Sequence, residues 1–272
     1  GTQEAMRARE TALILATGGP GLVRQAYSMG KPAYGVGPGN APAFIERTAD
    51  ISNAVRAIVG SQTFDNATIC ASEQSVVVDA PIYDAVRAEF EHNSAHWCTP
   101  EQKEALAKIV VRGRRVNADI VGLFPYQIAR MAGFEIPETT TVLMVDEDGV
   151  GWDHPLSVEK LSPILSVYIE DGWEAGCDRC IEILNFGGRG HTLAIHSTDE
   201  NVIWTFVHEK PTHRVLINAP TAQGAVGFGT GLVPSMTLGC GAFGGNITSD
   251  NISAHNLVLT KHVAYAYEGF VE

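Results

Sequence analysis

The sequence holds no run of apolar residues long enough to cross a bilayer and no charged-then-apolar leader, so neither a membrane span nor secretion is expected. It is short of positive charge: 19 Lys and Arg stand against 31 Asp and Glu, a formal net charge of −12. That balance argues against a nucleic-acid partner, whose phosphates demand a basic footprint. A small anionic cofactor remains compatible, because local amides and one or two cations can hold it. Cysteine is scarce and odd in number. Five scattered thiols do not form a disulfide framework, and a reducing cytoplasm is the expected compartment. Three Asn-x-Ser/Thr triplets, at Asn66, Asn246 and Asn251, read as chance without a secretory signal.

What is present is ordinary in bulk: 272 residues, 45% hydrophobic and 18% charged, enough for a sizeable core in one large domain or two. Residues 12–16 read as a buried strand, 17–21 as a glycine turn, 22–29 as a helix and 33–36 as another strand. That order is the βαβ rhythm of a parallel sheet. Asp50 caps a helix running toward Phe64, and the alternation continues. Strands are expected at 76–78, 141–145, 164–169, 192–196 and 215–218. Helices are expected at 82–90, 100–110, 173–184 and 201–208. The glycine-dense stretch 224–245 is too long for a simple turn and reads as a site-shaping loop; 257–267 reads as a closing strand. The fold class is α/β, with no internal repeat.

One stretch carries chemistry. Cys70 stands after the turn Phe64-Asp65-Asn66 and before the apolar run Val76-Val77-Val78, where a rigid strand can hold a thiol toward a cleft. A thiolate is intrinsically nucleophilic, so modest activation suffices. An inert buried cysteine is the alternative that the residues alone leave open.

Several motifs then occur in order. They are Ala16-Thr17-Gly18-Gly19-Pro20-Gly21, Gly35-Val36-Gly37-Pro38-Gly39-Asn40, the segment from Phe64 through Cys70 to Ser75, Glu159-Lys160-Leu161-Ser162-Pro163, Gly190-His191-Thr192, Leu216-Ile217-Asn218, and Pro234 to Gly241. Together they resemble the CoA-acylating aldehyde dehydrogenases, most closely the aldehyde dehydrogenase part of bifunctional aldehyde-alcohol dehydrogenases, from about Leu13 to about Val263. The resemblance implies an aldehyde dehydrogenase-like fold, with the last piece of a Rossmann-type cofactor domain over 1–64, a thioester-forming catalytic domain over 65–240 and a closing segment over 241–272. The family carries a long portion ahead of the matched region, so the chain reads as the C-terminal part of such an enzyme.

By that resemblance Cys70 is the nucleophile, Glu159 contacts the nicotinamide ribose, and His191 assists the coenzyme A thiol or gates its access. Thr17, Gly18, Gly19 and Gly37 approach NAD, while Asn66, Ile69 and Phe243 line the substrate pocket. Hydrolytic relatives place a glutamate where this chain has Val36, so the acyl group is expected on coenzyme A rather than on water. The implied activity is NAD-dependent oxidation of a short aldehyde to acyl-CoA by a cytoplasmic homo-oligomer, dimer or higher. A filament or a microcompartment lumen is also compatible. The rivals are a hydrolytic aldehyde dehydrogenase and a silent fragment or assembly module that keeps the fold.

Other signals are discounted. Gly239 to Gly244 satisfies G-x-G-x-x-G without a following helix. Cys177 and Cys180 form a C-x-x-C without a second pair, on an apolar helix face, and are expected in the core. No metal is expected at His92, His96 and Cys98, and Arg112 to Arg115 reads as a solvated turn.

Overall fold

A parallel strand pair opens the chain, and a second, larger sheet follows it in the computed structural model, which describes residues 1–269. After helix α1 (Thr2–Arg7), strand β1 (Ile14–Thr17) pairs with β2 (Ala33–Val36), Ile14 opposite Ala33 and Thr17 opposite Val36. Helix α2 (Pro20–Tyr27) crosses between them and buries Val23 and Ala26. Pro20 suits the first helical position, where its missing N–H has no intrahelical partner to lose.

The larger sheet begins with β3 (Ala41–Ile45), followed by α3 (Ile51–Thr63), β4 (Glu73–Asp79), α4 (Tyr83–His92) and the two-residue β5 (His96–Trp97). Then come α5 (Pro100–Val110), α6 (Pro125–Ala132), β6 (Leu143–Asp146) and β7 (Ile164–Glu170). Helix α7 (Trp173–Phe186), β8 (Gly190–His196), α8 (Glu200–Glu209), β9 (Thr212–Ile217) and α9 (Thr221–Ala225) complete it. The strand order is β5-β6-β7-β4-β3-β8-β9, and every neighbouring pair is parallel.

Helices cover both faces, which is why β4 carries the apolar run Val76-Val77-Val78 and is buried along its whole length. One face packs Val55, Ile58, Val86 and Phe90 of α3 and α4 onto Val76 and Val78. The other packs Cys180, Ile183, Leu184 and Phe206 of α7 and α8 onto Phe44, Val77 and Tyr168. Phe44 stacks on Phe206 with centroids 5.5 Å apart. Cys177 and Cys180 therefore sit in the core, where the apolar helix face puts them.

One strand has no counterpart in the sequence reading, and one expectation fails. Strand β3 lies inside the sheet, yet no element is expected at 41–45, because Pro42 and the preceding glycines look like breakers. A proline is tolerated there because the register shifts between Ala41 and Pro42, where one ladder bond is forgone. The closing strand expected at 257–267 is absent: a single turn at Ala254–Leu257 leads into chain with no strand partner. Its period-2 apolar pattern is real, but Leu259, Val263, Tyr265 and Tyr267 are exposed. No helix among the described residues is long and apolar enough to cross a membrane.

Candidate active site

Helix α3 starts at Asp50, whose side chain accepts from the Asn53 N–H at 3.0 Å, and it stops abruptly after Thr63. Asp65, Asn66 and Ala67 follow with φ of 50°, 47° and 58°, three consecutive left-handed residues without a glycine. Each costs about 1–2 kcal/mol of local strain, so the surroundings have to hold the segment. The Asn66 amide donates to the Gly122 carbonyl at 2.8 Å and the Thr68 hydroxyl to the Asp65 carboxylate at 2.6 Å. A turn from Ile69 to Ser72, closed at 2.8 Å, then places Cys70 at the entry to β4.

Three other segments meet Cys70 there. Its Sγ lies 3.1 Å from His191 Nε2, at the start of β8, and His191 Nδ1 lies 2.9 Å from the Thr192 hydroxyl. Gly39, ahead of β3, lies so close that a Cβ there would collide with the Cys70 carbonyl oxygen, and its N–H donates to Glu159 Oε1 at 2.9 Å. Glu159 is carried by a loop that its neighbour pins. The fully buried Lys160 Nζ donates to the carbonyls of Gln74, Leu156 and Val158 at 2.8, 2.7 and 3.1 Å. Cys70, His191, Glu159 and Gly39 all lie at the N-terminal ends of strands β4, β8, β7 and β3.

Burial dominates the electrostatics. It pushes the Cys70 thiol up to about 12, helped by Glu159 and Cys240 and opposed by Arg214. It pushes His191 down to about 3, with Arg214 acting the same way. Glu159 is raised to about 7, again by burial. The resting pair is thus a neutral thiol donating to a neutral imidazole, whose Nδ1–H faces the Thr192 hydroxyl. Burial penalises either charge alone, but moving the proton from sulfur to nitrogen creates both charges together at 3.1 Å, where each offsets the other. A thiol set beside a base in this way is an arrangement able to activate the sulfur as a nucleophile.

The remaining expected site residues divide. Phe243 walls a cavity of about 250 Å³, also lined by Gly37, Pro38, Asn185, Arg189 and Cys240. Its ring stacks on His213 at 5.1 Å and carries Arg189 over its other side. Asn66 and Ile69 do not line this cavity: Asn66 is spent on Gly122, and Ile69 packs in the core under α3. Thr17 and Gly18 stand beside Val36, with the Gly18 N–H donating to its carbonyl at 3.1 Å, so their turn adjoins Gly37. Glycine backbone at 18, 19 and 37 and the half-buried Glu159 carboxylate, able to accept from ribose hydroxyls, fit a dinucleotide.

Sequence reasoning missed two contributors: Thr192, whose hydroxyl lies against the imidazole, and Arg214, buried within β9. Cys240, which lines the cavity, belongs to the Gly239–Gly244 segment that the resemblance places at the substrate pocket. A cation beside an apolar strand run normally reads as exposed, so nothing in the sequence singled Arg214 out. Among the described residues one acid–His group, Glu147, Asp148 and His154, has metal-ligand spacing, but Lys103 already sits 3.2 Å from Glu147.

The dyad makes thiol reactivity selective. A small alkylating reagent at pH 8 is expected to modify Cys70 before Cys98, and both before the buried Cys177, Cys180 and Cys240. Peptide mapping by mass spectrometry reads the order; equal rates at Cys70 and Cys98 would show that His191 does not activate its neighbour.

No family model matches the chain. Relatives and solved structures do. The chain is 42% identical over 264 residues to a bifunctional aldehyde-alcohol dehydrogenase of Escherichia coli (strain K12), covering 95% of this chain and 30% of that protein. An acetylating aldehyde dehydrogenase from Geobacillus thermoglucosidasius superposes with a TM-score of 0.97 at 47% identity, over 100% of this chain and 60% of that one. A propionaldehyde dehydrogenase of Rhodopseudomonas palustris, solved with CoA and an acylated cysteine, superposes at 0.81 with 25% identity, over 91% and 56%. The chain thus spans between about a third and three fifths of these proteins.

Proposed function

We infer from this chain, homologous along nearly its whole length to part of the CoA-acylating aldehyde dehydrogenases, that it carries the thioester-forming site of such an enzyme. The contact between Cys70 Sγ and His191 Nε2 at 3.1 Å carries the reading. His191 takes the thiol proton as the sulfur attacks the carbonyl of a short aldehyde, giving a hemithioacetal on Cys70. With NAD bound, the chemistry it supplies is acceptance of the hydride from that carbon, which leaves an acyl thioester on Cys70. Thr17, Gly18, Gly19, Gly37 and Glu159 hold the dinucleotide in this reading, and Phe243 bounds the aldehyde.

His191 then releases that proton to solvent, and the acyl group passes to coenzyme A: a new carbon–sulfur bond forms, the bond to Cys70 breaks, and the coenzyme's thiol proton goes to His191 and from it to the departing Cys70 sulfur. Water competes poorly because Val36, buried at the end of β2, offers no general base, a role worth roughly 10²–10⁴-fold. Five free thiols support a reducing, cytoplasmic setting. Exposed apolar residues at 257–267 support a homo-oligomer, with a second copy covering them.

The thioester half-reaction tests this without a dinucleotide. Incubated with S-acetyl-N-acetylcysteamine, the protein is expected to gain one acetyl group on Cys70 and to surrender it to coenzyme A as acetyl-CoA. Discharge mainly to acetate in the presence of coenzyme A would make the site hydrolytic, and no acetylation at all would remove Cys70 from the chemistry.

A further inference from the structure

Arg214 is a buried cation without an ion pair. Its residue is 3% exposed, and no carboxylate among the described residues bridges it. Five oxygen acceptors surround it instead: Asn251 Oδ1 at 2.7 Å, the Gly239 carbonyl at 2.7 Å, the Ser249 and Asp250 carbonyls at 2.9 and 3.1 Å, and the His191 carbonyl at 3.4 Å. A guanidinium has five N–H groups, so its hydrogen-bonding capacity is met while its charge is not cancelled. Burying a charge this way is costly, and an apolar side chain would fill the space more cheaply. Asn251 is itself fastened by donating to the Ala225 and Val233 carbonyls at 2.9 and 2.8 Å. The clamp therefore ties β8 at His191 to β9, to the turn before Cys240, which lines the cavity, and to the segment 249–251.

We propose that Arg214 is a positioning residue for the Cys70–His191 pair: it fixes the backbone of His191 and the turn entering Cys240, and supplies a fixed positive charge that favours negative charge developing on the Cys70 sulfur. The proposal rests on Cys70 as the nucleophile and adds what sets its proton affinity. The charge bears on both partners, opposing the rise at Cys70 and deepening the fall at His191. Around the thiol, Glu159 from the loop before β7 and Cys240 from the glycine-rich segment act against it. Around Arg214, Asp250 and Cys240 are the acidic neighbours, and His213 on the same strand is held toward its neutral form by burial and by Arg214. A neutral His191 is also the form able to receive the proton of an incoming thiol.

The test is the pH profile of Cys70 alkylation, which packing alone does not move. R214M removes charge and fork together, while R214K keeps the charge with fewer donors. With unfolding followed alongside, R214M is expected to move the rising limb of the profile to higher pH, with slower labelling at fixed pH, because the charge opposing the rise at Cys70 is gone. R214K is expected to keep the limb in place, with labelling slowed evenly at every pH as His191 loses its hold. A folded R214M with the wild-type limb overturns the proposal. If R214M does not fold, R214K decides alone: a limb displaced despite the retained charge overturns it equally. Should wild-type Cys70 show no labelling preference, the nucleophile assignment fails instead, a result separable from either variant's.

Discussion

Replacing His191 with alanine is expected to slow acetylation of Cys70 by S-acetyl-N-acetylcysteamine roughly 10²- to 10³-fold, the usual worth of a positioned base. Desolvation holds the half-buried thiol near 12, so at neutral pH almost none is ionised, and the imidazole 3.1 Å away is the acceptor aligned for its proton. Without it the reaction depends on hydroxide, and the rate should rise about tenfold per pH unit through pH 10 in H191A. In the wild-type protein the rate should depend less steeply on pH, because the proton moves within the pair. Cys70→Ala should take up no acetyl group at any pH. A loss in H191A below about threefold, measured by intact mass against time, would leave the imidazole as packing only. Glutamine at 191 separates the roles further: it can hold a hydrogen bond to the sulfur but cannot carry the proton, so it should resemble alanine in rate.

The candidate site residues were singled out in the sequence through their motifs and not through the fold. Open parallel sheets usually present ligands at the carboxyl ends of their strands. Here Cys70, His191, Glu159 and Gly39 gather where strands β4, β8, β7 and β3 begin. A search guided by topology alone would have inspected the other edge. The helices and the apolar strands were legible because burial on two faces writes an uninterrupted apolar run, as in Val76-Val77-Val78. Strand β3 was not, since Pro42 signals a break that a register shift absorbs. The strand expected at 257–267 shows the converse: periodicity records a preference for one covered face but does not supply the partner. The resemblance puts Asn66 and Ile69 at the substrate pocket; after the left-handed run at 65–67 the Asn66 amide is engaged by Gly122 and Ile69 packs in the core.

A second large effect is expected in stability rather than rate, and it arises three residues past the nucleophile. Glu73 is fully buried at the start of β4 without a cationic partner. Its Oε1 accepts from the Thr221 N–H at 3.0 Å, while Oε2 has no hydrogen-bond partner. Burial raises this carboxyl to about 7, against about 4.5 for the free group. The folded chain therefore binds this proton more tightly than the unfolded one. The resulting stability is fully present below about pH 4.5 and is lost as pH rises through 7, up to about 3 kcal/mol in all. Glu159, also raised to about 7, falls along the same limb. Lys160, lowered to about 7 by burial, acts oppositely: its contribution is present above about pH 10.5 and is lost as pH falls through 7. Unfolding free energy should thus dip between the two limbs, near neutral pH. Glu73→Gln keeps the acceptor toward Thr221 and places an uncharged amide where Oε2 stands. It should match wild type at pH 5 and exceed it by about 1–3 kcal/mol at pH 8.5, flattening the lower limb by roughly half. Urea unfolding at the two pH values measures this directly. A variant less stable than wild type at both would mean that Glu73 is held ionised in the folded protein, by a compensating charge or bound cation at Oε2.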